Sequence, residues 1–385
     1  MAVTHVLFLC GGQGRNAISG AEHHVMTLVR ELAARGVDTE LVVLLWTSDA
    51  QIEAALDTVR AGGVRVTVIE RRRGRATLVS RLFRALDCWR RLGLALRQRH
   101  DRVVHMHMEL VMQLVAARTA GCRRLVITIH NDEPHYLRPV VRAWFRRLAA
   151  WGVSFVAITD HVRRYLVGPV GVRPASVRTI RYGVTKPAAS RACSRADLGL
   201  ADTDFVVGFV GRLTAQKNVQ LLIRAMAMRP DIKCLIVGEG ELRPELERLG
   251  RGLGCGNVAF LGSQSGAASL MPLFDVFCLP SIWEGLGVVL LESMSQGVPI
   301  VASRAGAIPE VLDQGRCGVL IDPASVSSLV DGIDLIRSNP QVRRTLVRSA
   351  QEHAAAVYGV RRMGDETCRL YDDLCLKPDT SAAAA

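Results

Sequence analysis

Two glutamates, Glu284 and Glu292, stand in the run Ser281-Ile282-Trp283-Glu284-Gly285-Leu286-Gly287-Val288-Val289-Leu290-Leu291-Glu292, directly after the apolar run Val276–Leu279. The glycines at 285 and 287 expose backbone N–H groups where an opening helix is positive, which suits oxygen-rich or anionic ligands. Eight residues are a little over two helical turns, so the carboxylates share a helix face only if Glu284 begins the helix. Two carboxylates facing a cleft can hold several hydroxyls; taken alone, the spacing reads rather as an ordinary N-terminal carboxylate and a surface glutamate. Three further strand ends add to it. Gly211-Arg212-Leu213-Thr214-Ala215-Gln216-Lys217-Asn218 offers an arginine fork and a lysine point charge, enough to neutralise a diphosphate. Gly238 closes a second apolar run, and Phe260-Leu261-Gly262 a third. Four strand ends with glycine or paired charge on one rim describe a pocket for a sugar carried on a nucleoside diphosphate.

The first half carries its own polar groups at run ends. Val104-His105-Met106-His107 ends one apolar run, and Thr128-Ile129-His130-Asn131-Asp132 ends another. A histidine at the carboxyl end of a strand can bond a sugar or phosphate oxygen. The alternative is a turn cap, which fits His105 best, while His107 stays open between the two. Gly12–Ala17 matches G-x-G-x-x-A, a dinucleotide fingerprint, but the match stands alone. No acid closes the second run, where Trp46 and Thr47 sit. Ser19-Gly20-Ala21-Glu22, before a helix, is the better anion-facing turn.

Short apolar runs alternating with amphipathic stretches must position these groups. Strands are expected at Val3–Cys10, Glu40–Trp46, Val64–Ile69, Arg102–Met106, Leu125–His130 and Ser154–Ile158. A second series covers Phe205–Val210, Cys234–Val237, Val258–Leu261, Val276–Leu279, Pro299–Ala302 and Gly318–Ile321. Helices are expected between them, at Ala21–Arg35, Leu78–Arg99, Val219–Met228 and Leu286–Gln296 among others. Strand–helix–strand order implies parallel sheets covered on both faces. The expectation is an α/β chain of two Rossmann-like domains, 1–186 and 187–360, facing across a cleft. A last helix at 361–377 crosses back to the first domain, and 378–385 form a flexible tail.

The ordered set GRLTAQKN, VGEGELR, VAFLG and SIWEGLGVVLLE resembles the second half of family 4 glycosyltransferases of the GT-B fold, over about residues 205–330. The resemblance implies roles residue by residue. Arg212 and Lys217 would bind the donor diphosphate. Glu292 would hold the ribose hydroxyls. Glu284, with the amides of Gly285, Leu286 and Gly287, would hold the transferred sugar. Gly238 would line the donor pocket, and Phe260, Leu261 and Gly262 would sit at the base. Gly20 would lie against the donor phosphate, although Ser19 stands where the family typically has another glycine. His130 would lie beside the donor sugar and join Glu284, Arg212 and Lys217 in catalysis. Arg15, Glu22 and His107 are the acceptor candidates.

Implied as well are retention of anomeric configuration, a UDP-type donor, and a glycan or lipid-linked acceptor of cell-surface polysaccharide or lipopolysaccharide synthesis. No aspartate-rich motif is present, so neither metal nor cofactor is expected. The rival readings are a soluble transferase acting on a small metabolite and a non-catalytic paralogue that binds a sugar nucleotide.

Composition narrows the setting. The chain has 385 residues, 49% of them hydrophobic, enough for two cores. Its net charge of +13 is uneven: residues 1–190 carry 29 basic and 14 acidic side chains, and the remainder 20 and 22. The basic half implies an anionic partner surface or simply solvated helix faces. Arg71–Arg99 and Arg138–Trp151 combine arginines with apolar stripes and tryptophans, the pattern of a helix lying on an anionic membrane. Ordinary helix packing on a sheet gives the same pattern. No nucleic-acid module appears, so nucleic acid is not expected. Ten cysteines occur without CxxC pairs or zinc-ligand spacing. Cys10, Cys234 and Cys278 read as buried apolar residues, and a reducing cytoplasm fits, with peripheral contact at the inner membrane face.

Overall fold

The computed structural model describes residues 5–11, 20–45, 50–70, 89–94, 96, 103–107, 110–184, 193–264 and 266–376. Arg15, Ser19, most of Arg71–Arg99, the expected domain boundary between 186 and 187 and the tail lie outside the described residues. The chain separates into two units. Unit 1 takes the described residues up to Gly183 and those from Val360 on; unit 2 is Val184–Gly359.

Among the described residues unit 1 is built on seven strands: β1 His5–Gly11, β2 Asp38–Leu45, β3 Arg65–Glu70, β4 Val103–His107, β5 Arg124–Ile129, β6 Ser154–Ala157 and β7 Val177–Thr179. They pair in parallel in the order β3-β2-β1-β4-β5-β6-β7. All of β4 and all of β5 except Arg124 are buried, as expected where both faces of a parallel sheet are covered. The order reverses between β1 and β4, and at such a switch point the carboxyl ends of the strands leave a crevice. β4 and β5 end there, bringing His107 and His130 to one rim.

The helix Val360–Leu376 returns from the far end of the chain to this unit. Its Met363, Leu370, Tyr371 and Leu374 share one core with Val25, Leu28, Val29 and Leu32 of the helix Gly20–Ala34. Each such buried side chain contributes about 1.5–3 kcal/mol of transfer free energy. Arg35 then pairs with Glu31 and with Asp365 of the returning helix. Sequence reading missed β7; it has only three residues and follows Pro174, so it carries little periodicity.

Among the described residues unit 2 holds six parallel strands: β8 Val206–Val210, β9 Lys233–Val237, β10 Val258–Gly262, β11 Val276–Leu279, β12 Ile300–Ser303 and β13 Val319–Ile321. Their order is β10-β9-β8-β11-β12-β13, with the reversal between β8 and β11. Val210 registers with Val237, and Val237 with Gly262, so β8, β9 and β10 end level. Cys234 and Cys278 are fully buried within these strands. Among the described residues no helix is long and apolar enough to cross a membrane.

Candidate functional site

In unit 2 the level strand ends put Gly211 and Gly238 back to back. Gly211 N donates to Val237 O at 3.0 Å, and Gly238 N donates to Gly262 O at 2.8 Å. Gly238 has φ +139, and a Cβ there would overlap the Gly211 carbonyl oxygen. Gly240 is equally confined, its Cβ position falling onto the Leu213 carbonyl, while Leu213 N donates to Glu239 O at 2.9 Å. The glycines are therefore what allows two loops to touch by their backbones. Phe260, Leu261 and Gly262 follow on the neighbouring edge strand, half-buried, with a bulge between Phe260 and Gly262.

Gly238→Ala is accordingly expected to destabilise unit 2 by about 3 kcal/mol or more, because backbone overlap and a positive φ act together. Gly256→Ala, where no atom lies within 4 Å and φ is ordinary, is the control. Denaturant midpoints measure both. Equal midpoints for the two variants would mean that the loops separate freely.

Glu284 is fixed from three sides. Ser281 Oγ donates to its Oε1 at 2.8 Å, and Lys217 Nζ contacts the same oxygen. Its backbone carbonyl accepts from Ala307 N at 2.8 Å, an approach that requires Gly306, at φ +55, because a Cβ there would overlap Glu284. Two further bonds tie the Glu284 loop to the short turn Ala215–Lys217: Ile282 N to Gln216 O at 2.8 Å, and Gln216 Nε2 to Trp283 O at 2.9 Å. Ser281 and Glu284 are buried. With both donors on Oε1, the second carboxylate oxygen remains to accept hydrogen bonds from a ligand.

The structure corrects one expectation here. The helix begins at Val288, not Leu286, because Gly287 caps it in the left-handed region at φ +75. Glu284 therefore precedes the helix, and its position comes from the loop rather than from a shared helix face. Gly285, Leu286 and Gly287 are buried beside it. Glu292 lies in the helix Val288–Gln296, half-buried, and burial pushes its carboxyl up to about 7. Hydrogen bonds from a diol would favour its charged form and reverse that shift. Arg212 follows β8, exposed and without an ion pair among the described residues. The structure thus joins Lys217 directly to Glu284 and Gly238 directly to Gly211 and Gly262, while Arg212 is held only through the backbone of its loop.

In unit 1, His107 Nδ1 and His130 Nε2 lie 3.2 Å apart. His24, from the helix Gly20–Ala34, joins them, its ring centroid 5.2 Å from His130 and 5.0 Å from Tyr182. Gly20 is the exposed first residue of that helix, and Glu22 lies in its first turn. His105 caps no turn, contrary to expectation. It is buried in β4 between Thr128 Oγ1 and the Tyr371 hydroxyl, each at 2.6 Å, one ring nitrogen donating and the other accepting. It binds the sheet to the returning helix. Burial pushes His105 down to about 3 and His130 to about 4, and lowers His24 and His107 well below the ordinary imidazole range. All four are neutral at pH 7.

Sequence reading missed Ser281, Gln216, Gly306 and His24. Ser281 lay in the quoted motif, three residues before Glu284. Gly306 carried the same signal as Gly211 and Gly238, a glycine after an apolar run. His24 had only a helical neighbourhood, which gives no hint of ring contacts across the sheet.

The basic stretch at residues 138–151 forms the helix Pro139–Ala150. Phe145, Leu148 and Ala149 bury one face, as packing on the sheet requires, while Val140 and Trp151 stay exposed. The Arg147 guanidinium sits 5.0 Å from the centre of the Trp151 ring.

Comparison with known proteins agrees with this architecture. The family model described as Glycosyltransferase Family 4 matches residues 18–186, and that described as Glycosyl transferases group 1 matches residues 190–353. An uncharacterized glycosyltransferase of Methanocaldococcus jannaschii is 34% identical over 183 residues, covering 46% of this chain and 47% of the relative. The alpha-D-kanosaminyltransferase of Streptomyces kanamyceticus is 31% identical over 196 residues, covering 49% and 50%. The chain thus spans about half the length of these curated relatives. The structure of Anabaena HepE in complex with UDP and glucose superposes with a TM-score of 0.77 at 21% identity, covering 96% of this chain and all of that one, a likeness of fold. With both units matched by family models over nearly their whole extent, the chain belongs to the family 4 glycosyltransferases of the GT-B fold.

Proposed function

We propose that the protein is a retaining glycosyltransferase that moves a sugar from a nucleoside diphosphate, UDP in the first instance, to a hydroxyl of a glycan or lipid-linked acceptor. The observation that carries this reading is the Glu284 arrangement, with Oε1 saturated by Ser281 and Lys217 and the other oxygen left for a polyhydroxylated ligand. Arg212 and Lys217 would face the diphosphate, where positive charge stabilises the departing phosphate. Lys217 would then exchange part of its contact with Glu284 for a phosphate oxygen. Glu292 would take the ribose diol, and Gly238 with Phe260, Leu261 and Gly262 would border the nucleoside. Gly285, Leu286 and Gly287 would supply backbone to the sugar.

In this scheme Glu284 grips hydroxyls and is a poor nucleophile, so displacement proceeds on one face of the sugar. The acceptor oxygen bonds to the anomeric carbon as the bond to the diphosphate breaks, and the leaving phosphate takes the acceptor proton. His130, neutral, would accept or donate a single hydrogen bond beside the sugar. His107 and Glu22 remain the acceptor candidates among the described residues. No divalent ion enters the proposed step. The UDP and glucose bound to Anabaena HepE support a nucleotide-sugar donor, and the kanosaminyl group that gives the Streptomyces relative its name supports transfer of a sugar. The exposed Val140 and Trp151 beside Arg147 support peripheral contact with an anionic membrane from the cytoplasmic side. The Arg147–Trp151 contact equally supports the second reading, a small-metabolite transferase whose arginines serve their own surface.

The test is thermal stabilisation by UDP, GDP, ADP and CMP, each with EDTA and with magnesium. A ligand that binds the native state raises the midpoint by mass action, about 2.7 kcal/mol at a hundredfold excess over Kd. The expected result is an increment with one diphosphate that is the same in EDTA and magnesium. No increment with any of the four, in a folded sample, would reject the donor site and with it this reading.

A further inference from the structure

We propose that Asp313, Cys317 and His353 form a binding site for a thiophilic divalent cation, zinc by its donor chemistry, in a part of unit 2 that shares no residue with the donor site. Each of the three offers one donor atom, and these atoms all lie within 4.8 Å of one another. Among the described residues no other three such side chains gather this way.

The backbone explains how they meet. After the helix Ile308–Val311 the chain turns through Asp313 at φ +45, Gln314 at φ +56 and Gly315 at φ +99 before entering β13. Two of these three left-handed residues are not glycine, and each costs of order 1 kcal/mol or more unless its surroundings hold it. The turn sets Asp313 beside Cys317. His353 comes from the helix Pro340–Val357, whose start is fixed by Asn339 Oδ1 accepting from Val342 N at 3.2 Å. Cys317 Sγ lies 3.5 Å from the Ser349 carbonyl, one turn before His353 on the same helix. Loop and helix are therefore already in register at the three donors.

The donor set selects the cation. A thiolate, an imidazole and a carboxylate suit zinc, whereas magnesium and calcium prefer oxygen ligands throughout. Tetrahedral zinc holds its ligands about 2.0–2.3 Å away, so closing the site needs shifts of only about 1 Å. Three protein ligands leave a fourth position for water. The charges agree with a cation. Cys317 is buried next to the Asp313 carboxylate, where a thiolate and a carboxylate would repel one another. A divalent ion between thiol and carboxylate turns that repulsion into ligation. Arg316 Nη1 holds Asp313 Oδ2 at 3.0 Å, which orients the carboxylate. Sequence spacing gave no sign of the site, because His353 lies thirty-six residues beyond Cys317 and on another element.

The test uses the full chain, stripped with EDTA and dialysed, then titrated with cobalt(II) chloride and in competition with zinc chloride. One equivalent of cobalt should bring a cobalt–thiolate charge-transfer band with tetrahedral ligand-field bands. Zinc should displace it and raise the unfolding midpoint. Cys317→Ser should abolish the thiolate band. Asp313→Asn, at a partly exposed loop position, should retain the fold and weaken cobalt binding about tenfold or more. No thiolate band in the wild-type protein would overturn the proposal. So would a band that survives Cys317→Ser, which would report another cysteine such as Cys193, Cys255, Cys368 or Cys375, or unchanged affinity in Asp313→Asn. None of these readouts depends on a donor or on turnover.

Discussion

Glu284→Gln should lower sugar transfer by about 10²–10³-fold, the scale of losing one preorganised charged group at a reacting centre. Glutamine keeps the shape and can still accept from Ser281 Oγ, so the local loop need not rearrange. What disappears is the negative charge that holds Lys217 and the strong acceptor offered to sugar hydroxyls. Removing one partner of a mostly buried pair leaves the other charge uncompensated, at a cost of about 3 kcal/mol. The variant is thus less stable as well as less active, and the two effects must be separated. Glu284→Gln with Lys217→Met should regain most of the stability and none of the activity. UDP should still stabilise Glu284→Gln, because Glu292, Arg212 and the glycine loops are untouched. Single-variant activity within a few-fold of wild type would remove Glu284 from the sugar site. Full recovery in the double variant would reduce its role to folding.

How much of this arrangement could be read beforehand differs between the two units. In unit 2 most of the site residues follow the ends of strands, and buried parallel strands announce themselves as apolar runs closed by glycine. Gly211, Gly238, Gly262 and Glu284 were therefore legible, and strand register alone brings the three glycines together. The start of the helix that follows Glu284 was not legible. It depends on Gly287 taking a left-handed φ, and the apolar run beginning at Leu286 hides that break. Ser281 and Gly306 act through bonds to Glu284 that only the folded loops define.

In unit 1 the motif signal is thin, and the important contacts cross long stretches of chain. His105 was read as a turn cap because its neighbours in sequence say nothing of Tyr371, 266 residues further on. The returning helix was visible as an amphipathic stretch, but its partner, the helix Gly20–Ala34, carries the same pattern as any helix on a sheet. The metal-type cluster of Asp313, Cys317 and His353 fails to register for the same reason: its members are near only in space.

The histidine cluster leads to the second large effect, acid lability of unit 1. Burial lowers the folded-state pKa of His105 to about 3 and of His130 to about 4, against an ordinary value of 6.5. Between those values the unfolded chain binds more protons than the folded one, so stability falls as pH falls. Nothing is lost while the pH stays above 6.5. From pH 7 to pH 5 each of these two histidines should remove about 2 kcal/mol. His24 and His107, also lowered, act in the same direction. A loss of this size is a large fraction of the 5–15 kcal/mol typical of a domain. Unit 2 has the opposite sign at Glu292. Its raised pKa of about 7 means the folded form keeps a proton that the unfolded chain releases, so this contribution is complete below the ordinary carboxyl value and is lost as pH rises through 7. Urea unfolding at pH 7 and pH 5, followed by hydrogen exchange resolved to each unit, should show unit 1 weakening and unit 2 holding. In His105→Gln, which can still bond Thr128 and Tyr371, about 2 kcal/mol of the pH-dependent loss should vanish. Equal stability of unit 1 at both pH values, or an undiminished loss in that variant, would mean that protonated imidazoles are accommodated in the fold, and the cluster would then be an acid-tolerant surface rather than a buried neutral core.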